Sequence, residues 1–103
     1  MTIIVKSSNI DHDISVCGAF DAALAHDAKS AFQGVIDAGG NVRLDMSKTD
    51  FIDSSGIGAI VFLYKRLVMQ SRTLELHGVN GQPRDLIAML RLDRAIPTNP
   101  LAA

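Results

Sequence analysis

The sequence predicts an α/β fold: a four-stranded, mostly parallel mixed sheet in the order β-β-α-β-α-β-α, with helices mainly on one face. Three observations predict it. Short segments of alternating polar and apolar residues are interleaved with longer segments of helical period. Strand–helix–strand units imply parallel pairs joined by right-handed crossovers. Finally, the strands alternate, placing Arg43, Asp45, Glu75 and His77 together on one face. A sheet covered on both faces would instead have near-continuous apolar strands.

Residues 2–7 read as the first strand. Residues 13–17 read as the second, with Ile14 and Val16 on one face, and the turn formers from Ser8 to His12 make the pair a hairpin. Asp21 reads as a helix N-cap, because its carboxylate can accept an orphan N–H of the first turn. Leu24, Ala28, Ala31, Phe32 and Val35 then recur at helical spacing. Gly39-Gly40 ends that helix, since glycine takes a left-handed terminal position without strain. Val42, Leu44 and Met46 alternate with Arg43 and Asp45 in a third strand, and Leu74 and Leu76 with Glu75 and His77 in a fourth. Between them a polar loop dips through Phe51-Ile52 into a helix from about Ser55 to Ser71. A last helix starts near Pro83, with Leu86, Ile87 and Leu90 on its buried side. Residues 1–96 make one domain, and Pro97 to Ala103 reads as a frayed tail.

The chain has 103 residues, of which 48 % are hydrophobic, enough for a core without metals or disulfides. Its net charge of -1 carries no basic patch for nucleic acid and no polybasic segment for anionic lipid. One cysteine, Cys17, excludes an intrachain disulfide and fits a reducing compartment. The most apolar stretch, Ile57 to Met69, is interrupted by Gly58, Lys65 and Arg66 and is too short to span a bilayer, so a cytoplasmic protein is expected. His12, His26 and His77 are scattered and read as surface residues. No Cys/His cluster has metal spacing. Ser54 lacks a hydrolase nucleophile context. Lys65 and Arg66 read as solvated, with no phosphate loop before them, and Gly78-Val79-Asn80-Gly81 reads as a turn. No enzymatic activity, metal or cofactor is expected, and a small nucleotide-binding enzyme has the least support.

The chemistry lies in Asp53-Ser54-Ser55-Gly56-Ile57-Gly58. Taken alone, Asp53-Ser54-Ser55 is a helix cap. A serine at such a position can also be phosphorylated, gaining about −1.5 to −2 charges. Free N–H groups and the helix dipole can hold that charge. Both readings can hold together. The following helix is apolar almost all round, and two readings of that stay open. Neighbouring helices bury all of it, or an apolar strip beside Ser54 marks a partner surface.

Asp45-Met46-Ser47 followed by Phe51-Ile52-Asp53-Ser54-Ser55-Gly56-Ile57-Gly58 resembles the signature of the STAS domain, especially that of anti-sigma factor antagonists. Gly18-Ala19-Phe20-Asp21 is similar to the family's element before its first long helix. The resemblance covers roughly residues 2–96 and implies a partner switch. The first serine after the aspartate, here Ser54, would accept phosphate from a serine kinase, often the anti-sigma factor itself. A metal-dependent serine phosphatase would remove it. Only the unphosphorylated form would bind the anti-sigma factor. Asp21, Asp53, Ser54, Ser55, Gly56 and Ile57 fall at the implied partner surface, and Ser55 is a possible second acceptor. The family pattern usually continues into a further strand and helix where this sequence stops, which could leave apolar surface for a partner or second copy. An alternative from another class is a STAS subunit of a membrane transport assembly, for which phosphorylation is incidental.

Overall fold

The computed structural model describes residues 2–8 and 11–100. Strands β1 (Thr2–Ser8) and β2 (Asp11–Phe20) form the expected hairpin, antiparallel with Ser8 opposite Asp11. Asp11 and His12, expected in the turn, already belong to β2; positions 9 and 10 lie outside the described residues. Helix α1 (Ala22–Ala38), strands β3 (Val42–Asp45) and β4 (Thr49–Ile52), helix α2 (Ser54–Met69), strand β5 (Leu74–His77) and helix α3 (Gly81–Met89) follow, then a short 3-10 turn at Leu92–Arg94. The sheet runs β1-β2-β3-β5, with β4 also pairing β2. Every pairing except β1 with β2 is parallel.

The sheet therefore has five strands, one more than the sequence pattern predicts. The extra strand, β4, replaces the expected polar loop. The His12 and Gly18 N–H groups both point to the edge of β2 that faces β3 and β4, where Gly18 donates to the Lys48 carbonyl at 2.9 Å. Thus β3 and β4 lie end to end along β2, separated by a jog at residues 46–48. Thr49 secures the second piece, its buried hydroxyl donating to the Val16 carbonyl at 2.6 Å. A register shift at Gly18/Ala19 disrupts the simple two-residue alternation. Thr49 and Ile52 are buried while Asp50 and Phe51 are exposed, so β4 has no strand signature to read.

The one-sided layer is as the alternation predicts. Ile14, Val16, Val42, Leu44, Leu74 and Leu76 are buried, against Leu24, Phe32, Ile60, Leu63 and Leu67 of the helices. Each large apolar side chain so buried contributes about 1.5–3 kcal/mol. The opposite face is polar. There Arg43 makes a two-pronged contact with Asp13, its register partner on β2, at 2.6 and 3.1 Å.

Helix α1 ends at Gly39, whose φ of 85° lies in the left-handed region. Two side chains invisible to local pattern complete this terminus. Arg72 donates to the carbonyls of Val35, Ile36 and Gly40. His12, expected at the surface, is buried and holds the Gly39 carbonyl through Nε2 at 2.8 Å, with its Nδ1 2.6 Å from the Ser7 hydroxyl. His26 is exposed, and His77 is half-buried beside Glu75.

Two expectations at the C-terminal end need correction. Leu90 is 50 % exposed, because α3 ends at Met89 and the chain turns away from the core. Nor is the start of the presumed tail frayed. Ile96 is buried, Leu76 donates to the Pro97 carbonyl at 2.8 Å, and Asn99 donates back to the Leu76 carbonyl at 2.7 Å. The Asn99 side-chain amide also bonds both backbone polar groups of Val79, each at 2.8 Å. Residues 101–103 lie outside the described part.

Candidate functional site

Two helices begin side by side at one end of the sheet. Phe20 and Ile52 are register partners at the ends of β2 and β4. The residue after each is an aspartate in extended conformation, and each caps a helix. Asp21 Oδ1 accepts from the Leu24 N–H at 3.1 Å. Asp53 Oδ1 accepts from the N–H groups of Ser55 and Gly56 at 2.9 and 3.2 Å. Parallel pairing thus brings the two aspartates out of the sheet together, and Asp53 N–H reaches the Phe20 carbonyl at 3.4 Å.

Gly56 lets α2 start in this position. A Cβ there would stand 2.3 Å from the Phe20 carbonyl oxygen and 2.7 Å from Ile52 Cγ1. No real side chain tolerates such an approach, so the helix start is pressed onto the ends of β2 and β4. A further restraint comes from α3. The Gln82 side chain accepts from the Ile52 N–H and donates to the Ile52 carbonyl, both at 2.8 Å. The backbone leading into Asp53 and Ser54 is therefore held from both sides.

Ser54 is the first residue of α2 and is exposed. Asp21, Asp53 and Ser55 are half-buried around the same end. Gly56 and Ile57, the other two residues expected at the partner surface, are buried. One electrostatic expectation also changes. The first-turn N–H groups are not all free to hold a phosphate, since Asp53 already occupies those of Ser55 and Gly56. A negative group on Ser54 would stand beside that carboxylate, projecting its charge outward.

Between α1 and α2, next to this end, runs an apolar groove of about 370 Å³ that includes Ser55 and Phe62. Phe62 is 41 % exposed, and Phe51 at the end of β4 is 44 % exposed. Neighbouring helices therefore do not bury all of the apolar surface of α2. Lys65 is exposed as expected, while Arg66 is half-buried, with its guanidinium 5.5 Å from the Phe62 ring centre. Gln82 and the groove residues on α1 were not legible as site residues. Gln82 acts across 30 residues of sequence, with no local signal beyond its place before Pro83. Among the described residues, no group of His, Cys, Asp and Glu is arranged to hold a metal ion, and no helix is long and apolar enough to cross a membrane.

Comparison with known proteins agrees with this geometry. The STAS domain family model matches residues 4–102. An anti-sigma-B factor antagonist of Listeria monocytogenes is 32 % identical over 84 residues, covering 80 % of this chain and 74 % of that protein. Three solved structures share the fold. An anti-sigma factor antagonist from Mycobacterium paratuberculosis matches with a TM-score of 0.82 at 22 % identity, over 97 % of this chain and 86 % of that one. Bacillus SpoIIAA in its phosphorylated form matches at 0.76 and 16 % identity, over 94 % and 90 %. A sulfate transporter family protein from Wolinella succinogenes matches at 0.75 and 16 % identity, over 89 % and 79 %. From its motif, its fold and these matches, the chain belongs to the STAS domain family, with anti-sigma factor antagonists among its relatives.

Proposed function

We propose that this chain is a cytoplasmic partner-switching regulator of the anti-sigma factor antagonist kind. Unphosphorylated, it binds an anti-sigma factor that is also a serine kinase. Phosphorylation of Ser54 abolishes that binding, and a serine phosphatase restores it. The supporting observation is the exposed Ser54 at the start of α2, directly after the capping Asp53, on a backbone held by Phe20, Gly56 and Gln82. A phosphate there adds about −1.5 to −2 charges next to a carboxylate. The rigid support means that the surface changes while the fold need not. Repulsion and lost contacts act directly on affinity, where each ~1.4 kcal/mol is about tenfold. Asp21, Asp53, Ser54 and Ser55 supply the polar part of the contact.

The test is phosphate mapping by intact mass and peptide fragmentation on protein purified from its native cells, comparing wild type with Ser54→Ala. Phosphate on Ser54, lost in the variant, supports the switch. Phosphate persisting in Ser54→Ala would move the acceptor to Ser55. No phosphate under any growth or stress condition, with co-purification of a membrane transporter, would replace the switch with a transport-subunit role.

A further inference from the structure

Among the described residues, no close contact requires a glycine at position 58. Gly58 lies inside α2, where glycine costs about 1 kcal/mol relative to alanine, and a Cβ there would meet nothing within 4 Å. Gly34 is equally open but does not line the groove, so an open glycine alone identifies nothing. What distinguishes Gly58 is its surroundings. It forms one wall of the groove with Ala59, facing Ala22 and Ala25 of α1 over the buried Phe32. Two fixed positive charges border it: Lys29 stands exposed on the α1 side, and Arg66 lies against the groove residue Phe62 on the α2 side.

We infer that this groove seats an amphipathic helix of the partner, apolar along one face and acidic beside it. The α1 wall from Ala22 to Phe32 is about 15 Å long, roughly three helical turns. Small residues on both walls let a third backbone approach closely, and the acidic flank meets Lys29 and Arg66. A lone acyl chain fits less well. Small-ligand sites bury roughly 70–90 % of their ligand, and much of this lining, including Ala22, Lys29, Gly58 and Phe62, is exposed. A phosphate on Ser54, beside the Ser55 end of the groove, would repel an acidic helix. Only the partner's identity depends on the partner-switching reading; the groove does not.

The probes are two synthetic peptides of roughly 14 residues, each with leucines at helical spacing, one flanked by glutamates and one by lysines. Amide NMR shifts are followed on the unphosphorylated protein. The glutamate peptide should shift signals from Ala22 to Phe32 and from Ser55 to Phe62. It should bind about tenfold or more weakly to Gly58→Met, whose side chain fills the open wall and leaves the melting temperature unreduced. Lys29→Glu should reverse the preference between the peptides. Equal binding of both peptides, no shift in those segments, or shifts with laurate in place of the peptides would overturn the inference. A parallel measurement with the anti-sigma factor kinase of the same genome separates the two ideas. Binding lost in Ser54→Asp but kept in Gly58→Met removes the groove and leaves the switch. The opposite pattern removes the switch and leaves the groove.

Discussion

Gln82 takes the place of a neighbouring strand at Ile52, its side-chain amide satisfying both the N–H and the carbonyl of that residue at 2.8 Å. Ile52 is fully buried and immediately precedes Asp53 and Ser54. Helix α3 therefore reaches the candidate site through one side chain. Replacement by leucine leaves two backbone groups unpaired, which costs about 1–3 kcal/mol. Gln82→Leu should lower the denaturation midpoint and speed hydrogen exchange at the Ile52 amide. Unchanged exchange there would show that Gln82 does not hold this backbone.

Gly56 and Gly58 should respond in opposite directions to the same substitution. Gly56→Ala drives a methyl group into the Phe20 carbonyl, and such overpacking costs about 1–3 kcal/mol. Gly58→Ala meets open space and should raise stability by up to about 1 kcal/mol. Thermal melts of the two variants provide the comparison, and equal melting temperatures would contradict the packing described here.

Arg72 should be the most sensitive charged residue for stability. Its guanidinium serves three carbonyls at the end of α1, and partial burial lowers its pKa. Arg72→Met should cost about 1–3 kcal/mol by leaving those carbonyls unpaired. Arg72→Lys should recover only part, since an ammonium cannot reproduce the planar fork. Full rescue by lysine in urea titrations would mean that charge alone matters.

Asp13 should make stability depend on pH in a defined direction. The hydrogen bond from Arg43 holds its carboxyl below the ordinary 3.8, against a smaller opposing effect of burial. A carboxylate with a lowered folded pKa contributes stability that is fully present above its unfolded pKa. That contribution is lost as pH falls through the folded value. Wild type should therefore exceed Asp13→Asn in stability at neutral pH, with the gap closing below about pH 4 and shrinking in high salt. Both partners are about half-exposed, so the gap should be small. A gap that widened in acid would be inconsistent with this pairing.

Local pattern explains how much was legible in the sequence. The caps Asp21 and Asp53, the buried stripe of α1 and the polar sheet face all follow from residues a few positions apart. The illegible features depend on long-range contacts. Strand β4 lost its alternation to a register shift opposite Gly18 and Ala19. His12 looked like a turn residue until α1 brought the Gly39 carbonyl to it, 27 positions away. Arg72 and Gln82 act through side-chain bonds to backbone 30 or more positions distant. At the candidate site the serine was legible, while the burial of Gly56 and Ile57 and the groove beside them required the packed helices.

The segment from Ile96 to Asn99 has a consequence for behaviour at high concentration. An uncovered outer strand offers unpaired N–H and carbonyl groups on which another chain can polymerise. On β5 the Leu76 groups are taken by Pro97 and Asn99, and the Asn99 side chain blocks Val79 beyond it. The two prolines at 97 and 100 cannot donate to an added strand. This short piece therefore acts as a guard against self-assembly, leaving the rim formed by β1 as the margin to watch for clumping during storage.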